Sequence, residues 1–510
     1  MNAKHLRRIA SLALVCVLLF GGSVPFCSAV IPTLTVQAAT SDSGFQYTAD
    51  SAKKTTQITG FNGSALSVKI PSELGGYPVT SIKAEAFKNH GSLLSVTIPD
   101  TVSLIGSEAF ANCLLLSTVK LGSGLATIGT KAFSNCPMIT SIALPAATSS
   151  IGSQAFFGCK ALSEITVASG NLVYAIKEGA LTDRLGTTLF FYPPARSDKK
   201  YTVPNVVTID DYAFANAKNL TSVLVPESVI NLGKGVFSNC TALEQVSLSS
   251  KLKKIDDEMF IGCTKLNSVS FPDSVTSIGK SAFKNCTAIP ALTVPDTVTS
   301  LGESAFSGCT GIKWIMIGKG LKNLTADVFS GCTNVAEYKV ADGANYSVQE
   351  GVLYSKDGTE LIAYPPASKA ASYVVGDKVT KIGTNAFDSC KNLKKLTIPK
   401  NVKSFGQPVI KNCSGLTVYV ESGSEAEKHF KFNTEGNGEL KIGSEKPGDI
   451  NNSGTVDNAD VILLRRYVAG WKNVTVQTDA ADVNKDSKVD NADVILLRRY
   501  VAGWKNVTLK

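Results

Sequence analysis

Histidine is nearly absent from this chain of 510 residues, which contains only His5, His90 and His429. The last two are isolated from each other in the sequence, and isolated histidines cannot build a His-rich zinc site. The same scarcity argues against a Ser-His-Asp catalytic arrangement. The sequence therefore gives no support to a hydrolase of the triad or zinc-protease type.

Clustered positive charge is also scarce, although the formal net charge is +9. No run of Lys or Arg is long enough to predict a nucleic-acid-binding surface, so we expect a spread, solvated charge and no nucleic-acid partner. Beyond the first segment there is no apolar run of membrane length. We expect no membrane span in the mature chain.

The first segment has the pattern of an export signal. Three basic residues precede a short apolar stretch from Ile9 to Phe20, and small residues at 36–39 suit cleavage. We predict that residues 1–39 are a signal peptide and that the protein is secreted. The alternative is an uncleaved anchor, for which an apolar stretch of about twelve residues is short.

A repeat of 23 residues fills the middle of the chain. Phe recurs every 23 residues within runs and after 58 between runs, at Phe87, Phe110, Phe133, Phe156, Phe214, Phe237, Phe260, Phe283, Phe306, Phe329 and Phe387. Most are followed three residues later by Cys, and the shared pattern is I-G-x-x-A-F-x-x-C-x-x-L-x-x-V-x-I-P. One unit cannot bury its own apolar face, so the pattern predicts a stack of short parallel strands with Phe and Cys ladders inside.

The A-F-x-x-C spacing, in so many copies, resembles the BspA-like class of leucine-rich repeats, which is common on bacterial surfaces. The resemblance covers about residues 45–435. It implies a leucine-rich-repeat solenoid that binds proteins or surfaces and is not an enzyme, without naming a ligand. We expect a cap repeat at 40–82, the solenoid at 83–440 and a linker at 441–447.

Ten cysteines remain after residue 39, since two of the twelve lie before it. Because nearly every repeat places its cysteine at the same position, we predict buried, free thiols that act as small packing residues. Equivalent positions of adjacent repeats would still be close enough for a disulfide, so bridging stays open.

Two insertions of 35 residues separate the runs and resemble each other. Each contains Glu-Gly followed by Tyr-Pro-Pro, with Glu178 and Tyr192 in the first and Glu350 and Tyr364 in the second. The second also has an Asp-Gly pair at 357–358, which predicts a hairpin turn. We expect two hairpins that project from the solenoid, as structural decoration or as a ligand contact.

A possible ligand face lies at Trp314 and Met316. The outward strand positions of most repeats hold small or hydroxylic side chains, whereas this repeat places Trp and Met there. An exposed Trp and Met on one face suit a binding hot spot. The alternative is that they pack under the hairpin that follows.

The last segment, 448–510, is a near-perfect duplication in which Val456 to Thr475 recur unchanged at Val489 to Thr508. Each copy opens with an acidic loop of twelve residues that places oxygen ligands where Ca²⁺ takes them in such loops, at positions 1, 3, 5, 7, 9 and 12. We predict two Ca²⁺ ions, bound by Asp449, Asn451, Ser453, the Thr455 carbonyl, Asp457 and Asp460, and by Asp482, Asn484, Asp486, the Lys488 carbonyl, Asp490 and Asp493.

Position 12 of each loop is Asp, and no entering helix is evident before Asp449. With the loop–helix duplication, these features resemble the type I dockerin family over about residues 448–508. The resemblance implies a small all-α domain at 448–510 that binds a cohesin domain of a scaffolding protein, as in cellulosome-like complexes. It also implies partner contacts at Asn458, Ala459, Arg465, Arg466, Asn491, Ala492, Arg498 and Arg499. Without it, the arginines would be a solvated helix face.

These observations predict a secreted, non-catalytic binding or adhesion protein, attached to a cohesin-bearing scaffold and held at the cell surface only through that partner. The alternative is a polysaccharide-acting enzyme or a carbohydrate-binding component of the same complex. Acidic residues are numerous enough for a glycosidase. However, no domain outside the repeats is left to hold a catalytic site.

Overall fold

The computed structural model of the chain describes residues 36–41, 43–432, 439–442, 446–451, 453, 455–472, 474, 476 and 478–510. Most of the predicted signal peptide (1–35) and part of the predicted linker (443–445) lie outside the described residues, so both stay predictions. Val36–Thr40, at the end of that predicted leader, forms a strand antiparallel to Phe45–Asp50. None of the described helices is long and apolar enough to cross a membrane.

The L-x-x-V-x-I part of the repeats forms a first ladder of short parallel strands, which pair in five separate sheets. Its apolar residues point inward and the residues between them point outward, as the twofold period of a strand requires. The strands are Ser67–Lys69, Ser95–Thr97, Thr118–Lys120, Ser141–Leu144, Glu164–Val167, Lys200–Thr202, Ser222–Leu224, Gln245–Ser247, Ser268–Val269, Leu292–Thr293, Trp314–Ile317, Glu337–Val340, Ser372–Val374, Lys395–Ile398, Thr417–Val420 and Glu439–Ile442.

The residues before the I-G pair form a second ladder of shorter strands. It begins with the antiparallel strands Val36–Thr40, Phe45–Asp50 and Thr55–Phe61 and the pair Glu73–Leu74 and Tyr77–Ile82. It continues through Leu104–Ile105, Thr127–Ile128, Ser150–Ile151, Thr208–Ile209, Asn231–Leu232, Lys254–Ile255, Ser277–Ile278, Ser300–Leu301, Lys381–Ile382 and Ser404–Phe405. A bridge pair, Phe387–Asp388 with Ile410–Lys411, and the 3-10 turn Ala326–Phe329 complete the repeats.

Phenylalanine rings stack along the inside of the solenoid, as the 23-residue period predicts. Consecutive rings within a run lie 4.8–6.2 Å apart, centroid to centroid. The ten described cysteines are buried and unpaired. In nine of the ten, Sγ donates a hydrogen bond of 3.0–3.2 Å to the carbonyl of the preceding repeat's aromatic position. The expectation of buried free thiols is confirmed.

The two insertions do not project from the solenoid, contrary to the prediction. Their strands, Tyr174–Lys177, Ala180–Asp183 and Thr188–Phe191, and Tyr346–Gln349, Val352–Ser355 and Glu360–Ala363, form antiparallel meanders. The last strand of each joins the second ladder in parallel. The tyrosine of each Tyr-Pro-Pro then stacks on the next repeat's phenylalanine, at 4.9 Å and 5.4 Å. The insertions therefore continue the core.

The end of the solenoid is closed by helix α1, Glu425–Phe432. Ser424 precedes the helix, and its Oγ accepts a hydrogen bond from the Glu427 amide at 3.1 Å. Ala426 and Phe430 are buried in the last repeats. The helix thus covers the apolar edge that the final repeat would expose.

Candidate metal-binding and partner site

The C-terminal module consists of helices α2 (Asn458–Val468), α3 (Thr478–Ala481) and α4 (Asn491–Val501). Each long helix begins at a capping box. Asp457 accepts a hydrogen bond from the Ala459 amide, and Asp490 accepts one from the Ala492 amide. The buried residues of this module, Ile450, Val461, Leu464, Ala481, Val483, Val494 and Leu497, form a hydrophobic cluster of their own.

The side chains of loop one are fixed by hydrogen bonds from the loop's own backbone amides. Asp449 Oδ1 accepts a bond from the Ser453 amide at 2.9 Å, and so does Asn451 Oδ1. Asp460 accepts from the amides of Asn451 at 2.9 Å and Asp457 at 2.8 Å, so it ties the two ends of the loop together. The predicted ligands at positions 1, 3 and 12 are thereby fixed by local bonds.

Loop two repeats this arrangement. Asp493 accepts from the amides of Asn484 at 3.3 Å and Asp490 at 2.9 Å. The Asp482 carboxylate accepts from the amides of Asp486 at 3.1 Å and Ser487 at 2.8 Å. Ser487 has φ of +68°, a left-handed conformation that costs a non-glycine residue roughly 1 kcal/mol.

The buried acids of these loops fit a cation. The side chains of Asp449, Asp460 and Asp493 are fully buried and Asp482 is 9% exposed. Within the described residues, neither Asp460 nor Asp493 forms an ion pair, and buried carboxylates are costly without a compensating charge.

The acids do not form an all-carboxylate cluster. In the described part of the chain no group of three or more His, Cys, Asp or Glu is placed to hold a metal ion. One reason is that Asp457 and Asp490 cap their own helices. Besides the carboxylates, the predicted calcium ligands are amide, hydroxyl and carbonyl oxygens. Such a mixed set of oxygen ligands suits Ca²⁺.

Gly448 lets the chain enter loop one against helix α4. Its φ is +90°, and a Cβ there would lie 2.5 Å from side-chain atoms of both Leu497 and Leu509. Its amide donates to the Ala480 carbonyl at 2.8 Å, and the Lys510 amide donates to Val483 at 3.0 Å. The start and the end of the module are thus tied to the middle of it.

The predicted partner residues lie on one exposed stripe of each long helix. Asn458, Arg465 and Arg466 are exposed on α2, and Asn491, Arg498 and Arg499 are exposed at the same places on α4. Ala459 and Ala492 are exposed beside the loops. The structure therefore brings together, within each half, the residues that the resemblance implied.

Sequence reasoning missed the apolar part of this stripe. Ile462 and Trp471 are 50% and 59% exposed, and their copies Ile495 and Trp504 are 51% and 60% exposed. The Arg466 guanidinium lies 5.3 Å from the Trp471 ring centroid, and Arg499 lies 5.4 Å from Trp504. A groove of about 460 Å³ is lined by Ile462, Arg465, Arg466 and Trp471 of the first half together with Asn491. Their exact duplication was the signal available in the sequence.

The solenoid's possible ligand face is partly exposed. Trp314 and Met316 point outward from the strand Trp314–Ile317, and the Lys339 ammonium on the adjacent strand lies 5.2 Å from the Trp314 ring centroid. Lys339 also pairs with Glu337 at 2.7 Å. The role of this face as a ligand site stays a prediction.

The repeats match a known family. The family model for the BspA type leucine rich repeat region matches residues 80–193, 185–313, 254–367 and 366–435, which together span more than half of the chain. The chain belongs to this family. The model for the dockerin type I domain matches residues 447–502, so the C-terminal module of this BspA type repeat protein is a type I dockerin domain.

Solved bacterial leucine-rich repeat proteins are similar to this chain. A cell surface protein from Faecalibacterium prausnitzii A2-165 is 25% identical, with 60% of this chain and 95% of that chain covered and a TM-score of 0.34. A leucine-rich repeat protein from Bacteroides ovatus ATCC 8483 is also 25% identical, over 79% and 98%, with a TM-score of 0.41. No curated protein matches the chain.

Both kinds of domain are non-catalytic types, and type I dockerin domains are calcium binders. The calcium binding that is typical of type I dockerin domains agrees with the buried acids of the two loops.

Proposed function

We propose that this protein is a secreted, non-catalytic binding protein whose dockerin domain attaches it to a cohesin domain of a scaffolding protein outside the cell. The observation that carries the proposal is the duplicated loop–helix unit with buried carboxylates at both loops. Each loop binds one Ca²⁺ through the six predicted residues, and the ions hold helices α2 and α4 in place.

The two halves of the module offer the partner nearly the same surface. Residues 456–475 and 489–508 are identical, and the two capping boxes and the two Arg–Trp contacts have nearly equal geometry. One cohesin can therefore engage either half, in two orientations about 180° apart. Ile462 with Trp471, and Ile495 with Trp504, supply the apolar centre of each contact, since exposed aromatic residues beside arginines are typical hot spots.

The experiment compares cohesin capture by variants of one half and of both halves. Replacing Asn458 and Ala459 alone should weaken binding only about twofold, because the intact half still binds. Replacing Asn491 and Ala492 as well should abolish binding. Calorimetric titration with a panel of cohesins gives the affinities, with the unchanged protein as control.

Two outcomes would contradict the proposal. If the variant of a single half already loses binding, the two halves are not equivalent. If no cohesin binds the unchanged protein in calcium, the docking function itself is wrong. A glycan-release assay on the same sample tests the alternative, an enzyme that acts on polysaccharide.

A further inference from the structure

The N-terminal edge of the second ladder is closed by a hairpin that includes residues of the predicted leader. Val36–Thr40 is the outermost strand of an eight-stranded sheet and pairs antiparallel with Phe45–Asp50 over five residues. The Ser41 amide donates to the Phe45 carbonyl at 2.9 Å, and the Gly44 amide donates to the Ser41 carbonyl at 2.8 Å. These bonds close the turn between the two strands, so Val36–Thr40 is a part of the sheet.

The strand Phe45–Asp50 is fixed from its other side by the solenoid. It pairs antiparallel with Thr55–Phe61. Phe45 is 3% exposed, and its ring centroid lies 5.0 Å from that of Phe61. Among the described residues, only Val36–Thr40 pairs with the outer edge of Phe45–Asp50. Without Val36–Thr40, the outer N–H and C=O groups of this strand would therefore lose their strand partners.

The turn between the two strands has residues that suit a hairpin. Gly44 has φ of +86°, which glycine adopts without strain, and a Cβ there would lie 2.7 Å from the Gly63 nitrogen. The Ser41 Oγ accepts a hydrogen bond from the Phe45 amide at 3.1 Å, a local bond that is typical of turns. A turn of this kind returns the chain only if a strand precedes it. The local sequence thus agrees with a strand before residue 41.

The predicted leader, 1–39, would remove this strand except for its last residue. A second site with small residues lies earlier in the sequence, where Cys27-Ser28-Ala29 follows the A-x-A pattern of small residues. Cleavage after Ala29 gives a leader of 29 residues, within the usual range of about 15–30 residues, whereas the later site gives 39. Residues 27–29 lie outside the described residues, so the sequence identifies this site and the strand that follows favours it.

We propose that a signal peptidase hydrolyses the Ala29–Val30 peptide bond, so that the mature protein begins at Val30 and keeps Val36–Thr40 as the first strand of the solenoid. Water supplies the new carboxylate oxygen of Ala29, and the nitrogen of Val30 leaves as the new N-terminal amine. The proposal rests on the secretion proposed above, and it moves the end of the leader from residue 39 to residue 29. It does not depend on docking to cohesin.

The first test identifies the N-terminus of the secreted chain. The full chain is exported by a bacterial host and recovered from the medium, and its intact mass and N-terminal sequence are measured. We expect Val30 at the N-terminus. Ala29→Leu places a large side chain beside the cut, where small residues are needed, and should abolish this product. The matched control, Ala38→Leu with Ala39→Leu, changes the later site and should leave Val30 at the N-terminus.

The second test measures whether the retained strand protects its neighbour from hydrogen exchange. A variant that lacks residues 30–39 loses the strand, and alternate amides of Phe45–Asp50 should then exchange at least about tenfold faster. Every second amide is affected because the amides of an antiparallel strand point alternately to its two neighbours. The control lacks only residues 30–35 and keeps the strand, so its amides should exchange as slowly as those of the chain that begins at Val30.

Two results would overturn the proposal: a secreted chain with an N-terminus other than Val30, or equal exchange of Phe45–Asp50 in the two deletion variants. A chain that keeps its leader and stays with the cells overturns the proposal and the proposed secretion together. Cohesin capture by the same sample is measured in parallel, so a cut at another site is distinguished from a failure of the docking function.

Discussion

At the scale of single residues, Asp388 joins the second and third runs of repeats. Its side chain is 6% exposed. It accepts bonds from Ser330 Oγ and the Gly331 amide, which lie 58 and 57 residues earlier in the chain. It also accepts from Ser389 Oγ at 2.8 Å and from Asn412 Nδ2 at 3.2 Å. A single carboxylate thus satisfies donors from three repeats at the junction left by the second insertion.

Replacing Asp388 by Ala should lower the free energy of unfolding by about 2–4 kcal/mol, because four donors around a buried side chain lose their shared acceptor. Urea unfolding measures the change. The control is Lys284→Ala, at the same position of an internal repeat, which should change stability by about 0.5 kcal/mol or less. An equal loss of unfolding free energy in both variants would show that Asp388 does not stabilise the junction between the runs.

At the scale of elements, helices α2 and α4 depend on the loops that precede them. Asp460 and Asp493 accept the amides of the N-cap residues, and both carboxylates are buried. Without a cation, the acids of each loop repel one another. We expect a chelator to reduce the helical circular dichroism of the module, since such loops fold around their metal.

Single-loop variants separate the two calcium sites. Asp460→Ala should reduce the stoichiometry from two Ca²⁺ ions to one in calorimetric titration, and Asp493→Ala should do the same. Asp377→Ala, which changes an exposed acid of the solenoid, serves as control and should leave two ions bound. Unchanged stoichiometry in both loop variants would contradict the assignment of ligands.

The elements also show what the sequence could predict. The 23-residue period determines which strand residues are buried, so the ladders of Phe and Cys were predictable. The place of the insertions was not predictable, because the same strand pattern suits a hairpin that projects from the solenoid and a hairpin whose last strand pairs with the ladder. Asp388 was missed because its partners are 57 and 58 residues away. Ile462 and Trp471 were missed because their exposure depends on how α2 packs against α4.

At the scale of the whole molecule, the column of thiols links the stability of the solenoid to pH. Burial raises the pKa of Cys159 and of Cys240 to about 12. In the unfolded chain a thiol has a pKa of about 8.5. Above that pH the unfolded state therefore binds fewer protons than the folded state, and stability falls with pH.

The loss should begin above about pH 8.5 and continue toward pH 12, by about 1.4 kcal/mol per pH unit for each of these two thiols. Differential scanning calorimetry between pH 8 and pH 10, with calcium held constant, follows the solenoid transition. Unfolded tyrosines, with a pKa of about 10, add to the same loss, so the comparison with a cysteine variant isolates the contribution of the thiols. The double variant Cys159→Ala, Cys240→Ala should have a shallower dependence on pH. If stability depends on pH equally in the variant and the unchanged protein, burial does not raise the pKa of these thiols.

The dockerin domain provides the internal comparison. Its segment, 448–510, has no cysteine, and its described buried residues form a separate hydrophobic cluster. We expect its transition to respond to chelator and to stay nearly constant between pH 8 and pH 10. The solenoid transition should behave in the opposite way. If both transitions move together under either treatment, the two parts of the molecule unfold as one cooperative unit.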